Sequence, residues 1–261
     1  MSVPFSPVFL LGKAHCGSTL LLRLLGKHAD VLAVGELMRV GESLERGSPC
    51  SCGAPLPECP FWKRYLSWLA ELDHDWRRFR PGLYRRIGAD AGRAVVLDDS
   101  KTLAWRVRRA ADERTGYVFM LRDSRGILAA ALRAGRAVDF ARILRRHEKW
   151  TKRLARLAER RAERTRVLFY EDLCADPERE IRGLSTFLGL PFDPATLEPA
   201  REALHLVGAS GSSWQKGSSE IRLDERWREE LSADRRAEIE RVMARIPLLC
   251  ARYLAAETAR A

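Results

Sequence analysis

The chain of 261 residues is short of lysine: 7 of its 46 basic side chains are Lys and 39 are Arg. A coding bias toward Arg produces that imbalance without functional meaning, so the formal charge of +11 is weak evidence for an anionic partner, and the few lysines carry more information. No run approaches the ~18 apolar residues of a membrane span. Met1 to Leu11 has no basic leader, and its short apolar stretch runs into a Gly-rich turn, so it reads as a first buried strand. The expected compartment is the cytoplasm, where the six cysteines would be free thiols or metal ligands. There is no internal repeat. Hydrophobics at 46% and aromatics at 8% exclude disorder, and the length supplies a full core without disulfides.

What is present alternates. Pro7–Leu11 reads as a strand, Gly12–Gly17 as a turn, and Ser18–His28 as a helix with Ser18 or Thr19 near its cap. Val31–Val34 is a short extended piece leading to Gly35 and Glu36. From Gly41 to about Gly92 the pattern loosens into Gly and Pro clusters, three cysteines and several tryptophans, which suggests an insert or lid over an acceptor pocket. Ala94–Leu97 is a buried parallel-type strand ending at Asp98-Asp99-Ser100-Lys101, with a helix expected over Leu103–Asp112. Strand Tyr117–Leu121 ends at Arg122-Asp123. A long helix over Val138–Arg164 places Phe140, Ile143, Leu144, His147, Trp150, Leu154 and Leu157 on one stripe. Strand Arg166–Tyr170 and a helix over Pro177–Leu188 follow, and 196–261 is a helical and loop region. The whole reads as one α/β domain: a three-layer sandwich with a parallel central sheet, helices on both faces and a helical Cys/Trp insert. Ligands of such sheets sit past the carboxyl ends of the strands, where the chemically interesting residues fall.

Gly12-Lys13-Ala14-His15-Cys16-Gly17-Ser18-Thr19 nearly fits the nucleotide loop G-x-x-x-x-G-K-[ST]. Backbone amides of such a loop and of the helix it opens suit a phosphate. Ser18 stands where that loop's Lys would reach the β- and γ-phosphates. A nucleotide kinase or NTPase therefore loses its main charge clamp, although Val95–Asp98 could pass for a Walker B strand. A ligand with a 5′-phosphate of other chemistry fits better. A basic nucleic-acid-binding protein is a third reading, without a recognised motif to support it.

These residues resemble the nucleotide-dependent sulfotransferases. Cys16-Gly17-Ser18-Thr19 is similar to the family's Ser-Gly-Thr-Thr-like loop, which holds the 5′-phosphosulfate of 3′-phosphoadenosine 5′-phosphosulfate. Leu121-Arg122-Asp123-Ser124-Arg125 resembles the family run whose Arg grips the 3′-phosphate. Leu168-Phe169-Tyr170-Glu171-Asp172-Leu173, with Asp176-Pro177-Glu178 and later Gly189-Leu190-Pro191, matches another hallmark. The resemblance covers about 7–40 and 94–192, and 205–232 more faintly. It implies a P-loop-like fold and transfer of a sulfuryl group to a hydroxyl or amine on a carbohydrate, lipid or small metabolite. It also implies no obligatory metal, no nucleic-acid partner, and leaves a homodimer open.

Sulfuryl transfer needs cations near the leaving phosphate and a base on the acceptor. The family's loop Lys or Arg aligns with His15, and Lys13 lies two residues earlier, so both are candidates. Lys101, in a run similar to the family's Asp-Ser-Ser-Lys, is the second cation. Glu36, after Gly35, resembles the Gly-Glu segment that supplies a catalytic carboxylate in protein-tyrosine and some carbohydrate sulfotransferases; His205 is the rival base. Cofactor binding is expected from Lys13, Ala14, His15, Cys16, Gly17, Ser18, Thr19, Arg122 and, in the Trp214–Gly217 loop, Lys216. The family's Ser eight residues after the gripping Arg is Ala130 here. Tyr170-Glu171-Asp172 reads as a structural polar cluster.

Cys50, Cys52 and Cys59 form C-x-C-x₆-C. Three thiolates at this spacing could bind zinc with a fourth ligand from elsewhere, such as His74. They could equally form one disulfide or simply pack. Residues 133–166 hold 13 Lys and Arg against 4 Asp and Glu, mostly off the apolar stripe, so much of the net charge is a solvated helix face.

Overall fold

The computed structural model describes residues 3–70, 81–101, 112–135, 139–200, 204–208 and 220–255. Strands β1 (Val8–Leu11), β2 (Val31–Gly35), β3 (Val95–Asp98), β4 (Gly116–Leu121) and β5 (Thr165–Phe169) form one parallel sheet in the order β2-β3-β1-β4-β5. The chain starts in the middle strand and winds outward to both sides. All five carboxyl ends consequently open on one edge.

The strands read as unbroken apolar runs because both faces are covered. Alternate side chains point to opposite faces. Phe9, Leu11, Val34, Val96, Tyr117, Phe119 and Leu121 enter one core cluster; Val8, Leu10, Val31, Ala33, Val95, Leu97, Val118 and Met120 enter the other. The second cluster is closed by α1 (Ser18–Leu25) and later by α8 (Pro177–Leu188). The first is closed by α4 (Pro81–Asp90), α6 (Phe140–Arg160) and α10 (Ala233–Met243).

Helix α6 shows the expected stripe: Leu144, His147, Leu154 and Leu157 are buried, and Arg142, Arg145, Lys149, Arg153 and Arg156 are exposed. It is shorter than the expected Val138–Arg164. Asp139 caps it by accepting from the Arg142 amide, so it starts at Phe140. Helix α8 (Pro177–Leu188) starts on the Asp176 cap with Pro177 in its first turn and stops at Gly189, φ 68°. Between β5 and α8 lies α7 (Tyr170–Ala175), so Tyr170 opens a helix rather than ending a strand.

Two expectations change. Helix α5 (Ser124–Arg133) does not stand out in the sequence because seven of its residues are buried and its Ala-rich stretch offers no clear polar face; Asp123 caps it from the Arg125 amide. It carries Ala130, which is buried. The segment 41–92 is not a cover set apart from the core. Helices α2 (Val40–Glu45) and α3 (Leu66–Ala70), with Cys59, Trp62, Tyr65, Tyr84 and Ile87, pack into the cluster on the sheet's first face. The helix expected over Leu103–Asp112 lies almost wholly outside the described residues. Short helix α9 (Trp227–Glu230) precedes α10.

Candidate active site

At the carboxyl edge, four loops meet around a cleft of about 440 Å³. Its lining includes Lys13, Ala14 and His15 from the β1 loop, Glu36 after β2, Arg39 and Arg46 around α2, Lys101 after β3, and Ile143, Arg146 and His147 from α6. Among the described residues no Trp, Tyr or Phe lines it. Of the tryptophans expected near the acceptor, Trp62 is fully buried against Phe61 and Tyr65, and Trp76 and Trp105 lie outside the described residues.

The β1 loop is held tightly. Gly17 has φ 96° and precedes α1; a Cβ there would strike the Tyr170 ring and come within 2.9 Å of Met120 Cε. Only glycine fits both the left-handed backbone and the close approach. Gly12 is equally pressed, with Cys16 Sγ 2.8 Å from where its Cβ would be. Cys16 is buried beneath the loop, and burial followed by Asp99 pushes its thiol pKa up. Cys16 is thus a packing residue that shapes the turn. The expected hydroxyl cap of α1 is not made: Gly17 is the N-cap, and no side chain caps the helix. Ser18 is buried and donates instead to Asp99 Oδ2 at 2.9 Å. Thr19 lies half-buried in the first turn. At the start of α1 the Leu20 amide already donates to Gly17 O at 2.9 Å, so the amides of Ser18 and Thr19 are the ones that lie ahead of the first backbone bond of the helix.

Lys101 is the hub. Its Nζ donates to Glu36 Oε1 at 2.8 Å and to Asp99 Oδ2 at 2.9 Å, the oxygen that also accepts from Ser18. Glu36 Oε2 lies 2.5 Å from Arg39 Nε. Burial opposes the Lys101 charge, but Asp99 and Glu36 outweigh it and hold its pKa above the ordinary lysine value. The backbone at Lys101 is left-handed, φ 47°, a conformation that non-glycine residues hold only when their surroundings enforce it. Behind it, Asp98 is fully buried with Tyr84 donating to it, and burial pushes its carboxyl up to about 7. The position of Glu36 is set by its amide, which donates to Val207 O at 2.8 Å.

Lys13 and His147 line the same cleft. Burial, and then Arg146, pull the Lys13 pKa down to about 8. His147 is buried, and desolvation followed by Lys13 lowers it to about 3, so it is neutral. Its Nε2 pairs with Ser124 Oγ at 2.8 Å. Its place on the stripe makes it look like an ordinary core position; a titratable side chain on an apolar face beside a strand end was the available signal. Asp99 and Arg39 were likewise not singled out, since their roles depend on which loops come together.

Arg122 lies apart from Lys101, buried at the end of β4. Its guanidinium donates to His15 O at 3.0 Å and Asp224 O at 2.7 Å, pairs with Asp224 Oδ2 at 3.2 Å and stacks 4.5 Å over the Tyr170 ring. Hydrogen bonds from Arg226, then the charge of Arg122, hold the Asp224 carboxyl well below its usual range. Arg122 therefore ties the β1 loop to the 220–226 segment. A second, smaller cleft of about 210 Å³ opens beside it, lined by Arg122, Arg125, Glu171 and Asp224. Around it Tyr170 donates to Arg222 O and Glu171 accepts from the Asp123 amide and from Tyr253. Arg125 is occupied by Asp123 and Glu240.

His205, the rival base, is not in the cleft. Its ring Nδ1 faces Cys59 Sγ at 3.3 Å and Cys50 Sγ at 4.0 Å. His74 and Lys216 lie outside the described residues.

A sequence model of the sulfotransferase family matches residues 113–194. No curated protein matches the chain significantly. Among solved structures, the chain is similar to the sulfotransferase domain from the curacin biosynthetic pathway, with TM-score 0.71 and 17% identity over 93% of this chain and 98% of that one. It is also similar to the sulfotransferase domain of the Synechococcus PCC 7002 olefin synthase, with TM-score 0.61 and 17% identity over 90% and 94%. A mouse sulfotransferase in complex with PAP follows, with TM-score 0.50 and 9% identity over 92% and 84%. Identities this low speak for the fold, and the family model adds the sequence of β4, β5 and the turns after them. Residues 113–194 thus match the sulfotransferase family by sequence, and the chain as a whole has the fold of the sulfotransferase domains it is similar to.

Proposed function

We propose that the chain transfers a sulfuryl group from 3′-phosphoadenosine 5′-phosphosulfate to a hydroxyl or amine acceptor. The observation that carries this reading is the meeting, in one cleft at the carboxyl edge of the sheet, of a Gly-flanked anion loop with a paired Lys101 and Glu36. The first-turn amides of α1 and the Lys13 ammonium suit the phosphosulfate. Lys101 suits the charge that builds on the leaving phosphate, and Glu36 is placed to take the acceptor's proton. Ser18, which commits its hydroxyl to Asp99, supplies no cation where a triphosphate loop has one.

Arg122 is assigned to the 3′-phosphate. Since Asp224 already accepts from it, nucleotide binding there exchanges the Asp224 contact for phosphate oxygens, moving the 220–226 segment. Arg39 and Arg46 on the cleft wall favour an acceptor that carries negative charge or many hydroxyls. The test is transfer of labelled sulfate from the nucleotide to an acceptor library, with calorimetry of the desulfated nucleotide alongside. Glu36→Gln is expected to lose turnover by about 10²-fold or more while keeping nucleotide affinity. Arg122→Ala is expected to weaken that affinity. Unchanged turnover in the first and unchanged affinity in the second would overturn both assignments.

A further inference from the structure

Away from the cleft, the three cysteines of the C-x-C-x₆-C run converge with His205, distant in sequence, and nothing in the sulfuryl-transfer reading uses them. Cys52 Sγ lies 3.8 Å from Cys59 Sγ, Cys59 Sγ lies 3.3 Å from His205 Nδ1, and Cys50 Sγ lies 4.0 Å from the same nitrogen. All four donor atoms fall within 4.8 Å of one another. In a tetrahedral zinc site with Zn–S of about 2.3 Å and Zn–N of about 2.0 Å, ligand atoms stand roughly 3.5–3.8 Å apart. These three separations are within about half an ångström of that spacing. We propose that Cys50, Cys52, Cys59 and His205 form a Cys₃His structural zinc site.

The surroundings are built for a rigid ligand set. Gly53, φ 90°, turns the chain after Cys52, with the Gly53 amide on Cys50 O and the Cys50 amide on Ala54 O. A short 3₁₀ turn, Leu56–Glu58, then delivers Cys59. From the other side, His205 is held in the left-handed region at φ 54°. Trp62 Nε1 donates to its carbonyl, and its ring stacks on Phe61 at 5.7 Å between centroids. Ser51 fastens the next residue twice: its amide donates to Leu206 O at 3.2 Å and its hydroxyl accepts from the Leu206 amide at 2.8 Å. Four protein ligands leave no open position, so the metal is structural. Binding replaces three thiol protons with one dication, and no redox partner is required.

The consequence reaches the cleft. Val207, two residues after the ligand His205, pairs with β2 at Gly35, and its carbonyl takes the Glu36 amide. Zinc would staple the 50–59 segment to the 204–208 segment and so fix the backbone that presents Glu36. The site does not depend on the sulfotransferase reading.

The test is the zinc content of the purified full chain by elemental analysis, with Cys59→Ser and His205→Ala beside Cys174→Ser, a half-buried cysteine outside the cluster. About one zinc per chain is expected, lost in the first two variants and kept in the third. Removing zinc by a chelator should lower the melting temperature, and re-addition should restore it. As a readout that does not depend on the folding of the two ligand variants, cobalt(II) is also loaded into the unaltered, metal-stripped chain, where a tetrahedral thiolate site gives intense d–d and sulfur-to-cobalt absorption. A metal-free chain that gives no such spectrum overturns the proposal. So does a Cys52–Cys59 or Cys50–Cys59 disulfide found by non-reducing mass spectrometry.

Discussion

Lys101→Met tests the electrostatic hub most directly, because it removes the charge while keeping the length of the side chain. Lys101 is 17% exposed and its partners Glu36 and Asp99 are 20% and 4% exposed. Without the ammonium, two carboxylates that now share one cation face each other, and Asp99 is left buried with, among the described residues, the Ser18 hydroxyl as its side-chain donor. Breaking a buried pair from one side costs about 3–5 kcal/mol. The lower end applies here, about 3 kcal/mol, since Glu36 keeps Arg39 and some water. Unfolding entropy of about 2.1 cal/mol/K per residue gives roughly 0.55 kcal/mol/K for 261 residues, so the melting temperature should fall by about 5–6 °C. The second substitution decides the cause. Asp99→Asn in the Lys101→Met background removes the unpaired charge and should recover at least about 1 kcal/mol, roughly 2 °C. Calorimetric or fluorescence melts of the wild type, both single variants and the double variant measure this. A loss under about 2 °C for Lys101→Met, or no recovery in the double variant, would refute the reasoning.

Two further outcomes follow from the β1 loop. Lys13 is held at about 8 in the fold against an ordinary value of 10.5, so its charged form is disfavoured by folding. The nucleotide-free fold should therefore gain stability as pH rises from about 8 toward 10.5, where the unfolded chain still holds the proton. The cation offered to an anion disappears over that range, so affinity for the desulfated nucleotide should fall above about pH 8. Calorimetry across pH should show that limb in the wild type and a flat one in Lys13→Arg; identical profiles would remove Lys13 from the anion site. Gly17→Ala should destabilise the chain more than Gly47→Ala in denaturant melts. Both have positive φ, at 96° and 61°, but only at Gly17 does a Cβ strike neighbours. Equal costs would mean that the packing of the loop against Tyr170 does not constrain it.

The parts of this protein legible in its sequence are those fixed by local rules. Apolar runs such as Val95–Leu97 and Tyr117–Leu121 announced strands buried on both faces, and the alternation with helices announced a parallel sheet. The Asp176-Pro177 start and Gly189 stop of α8 are properties of a few adjacent residues. Candidate cations and carboxylates were also visible, because in a parallel sheet chemistry collects at strand ends, and Lys13, Glu36, Lys101 and Arg122 all follow one. Tertiary structure alone decided what each of them touches. That Lys101 bridges Glu36 and Asp99, that Arg122 joins the His15 carbonyl to Asp224, and that the Trp-containing segment belongs to the core all depend on contacts between loops far apart in the chain. The same reason moved His205 from candidate base to companion of three cysteines: its nearest of those partners in sequence is 146 residues away, and no local pattern encodes a distance of 3.3 Å across that gap.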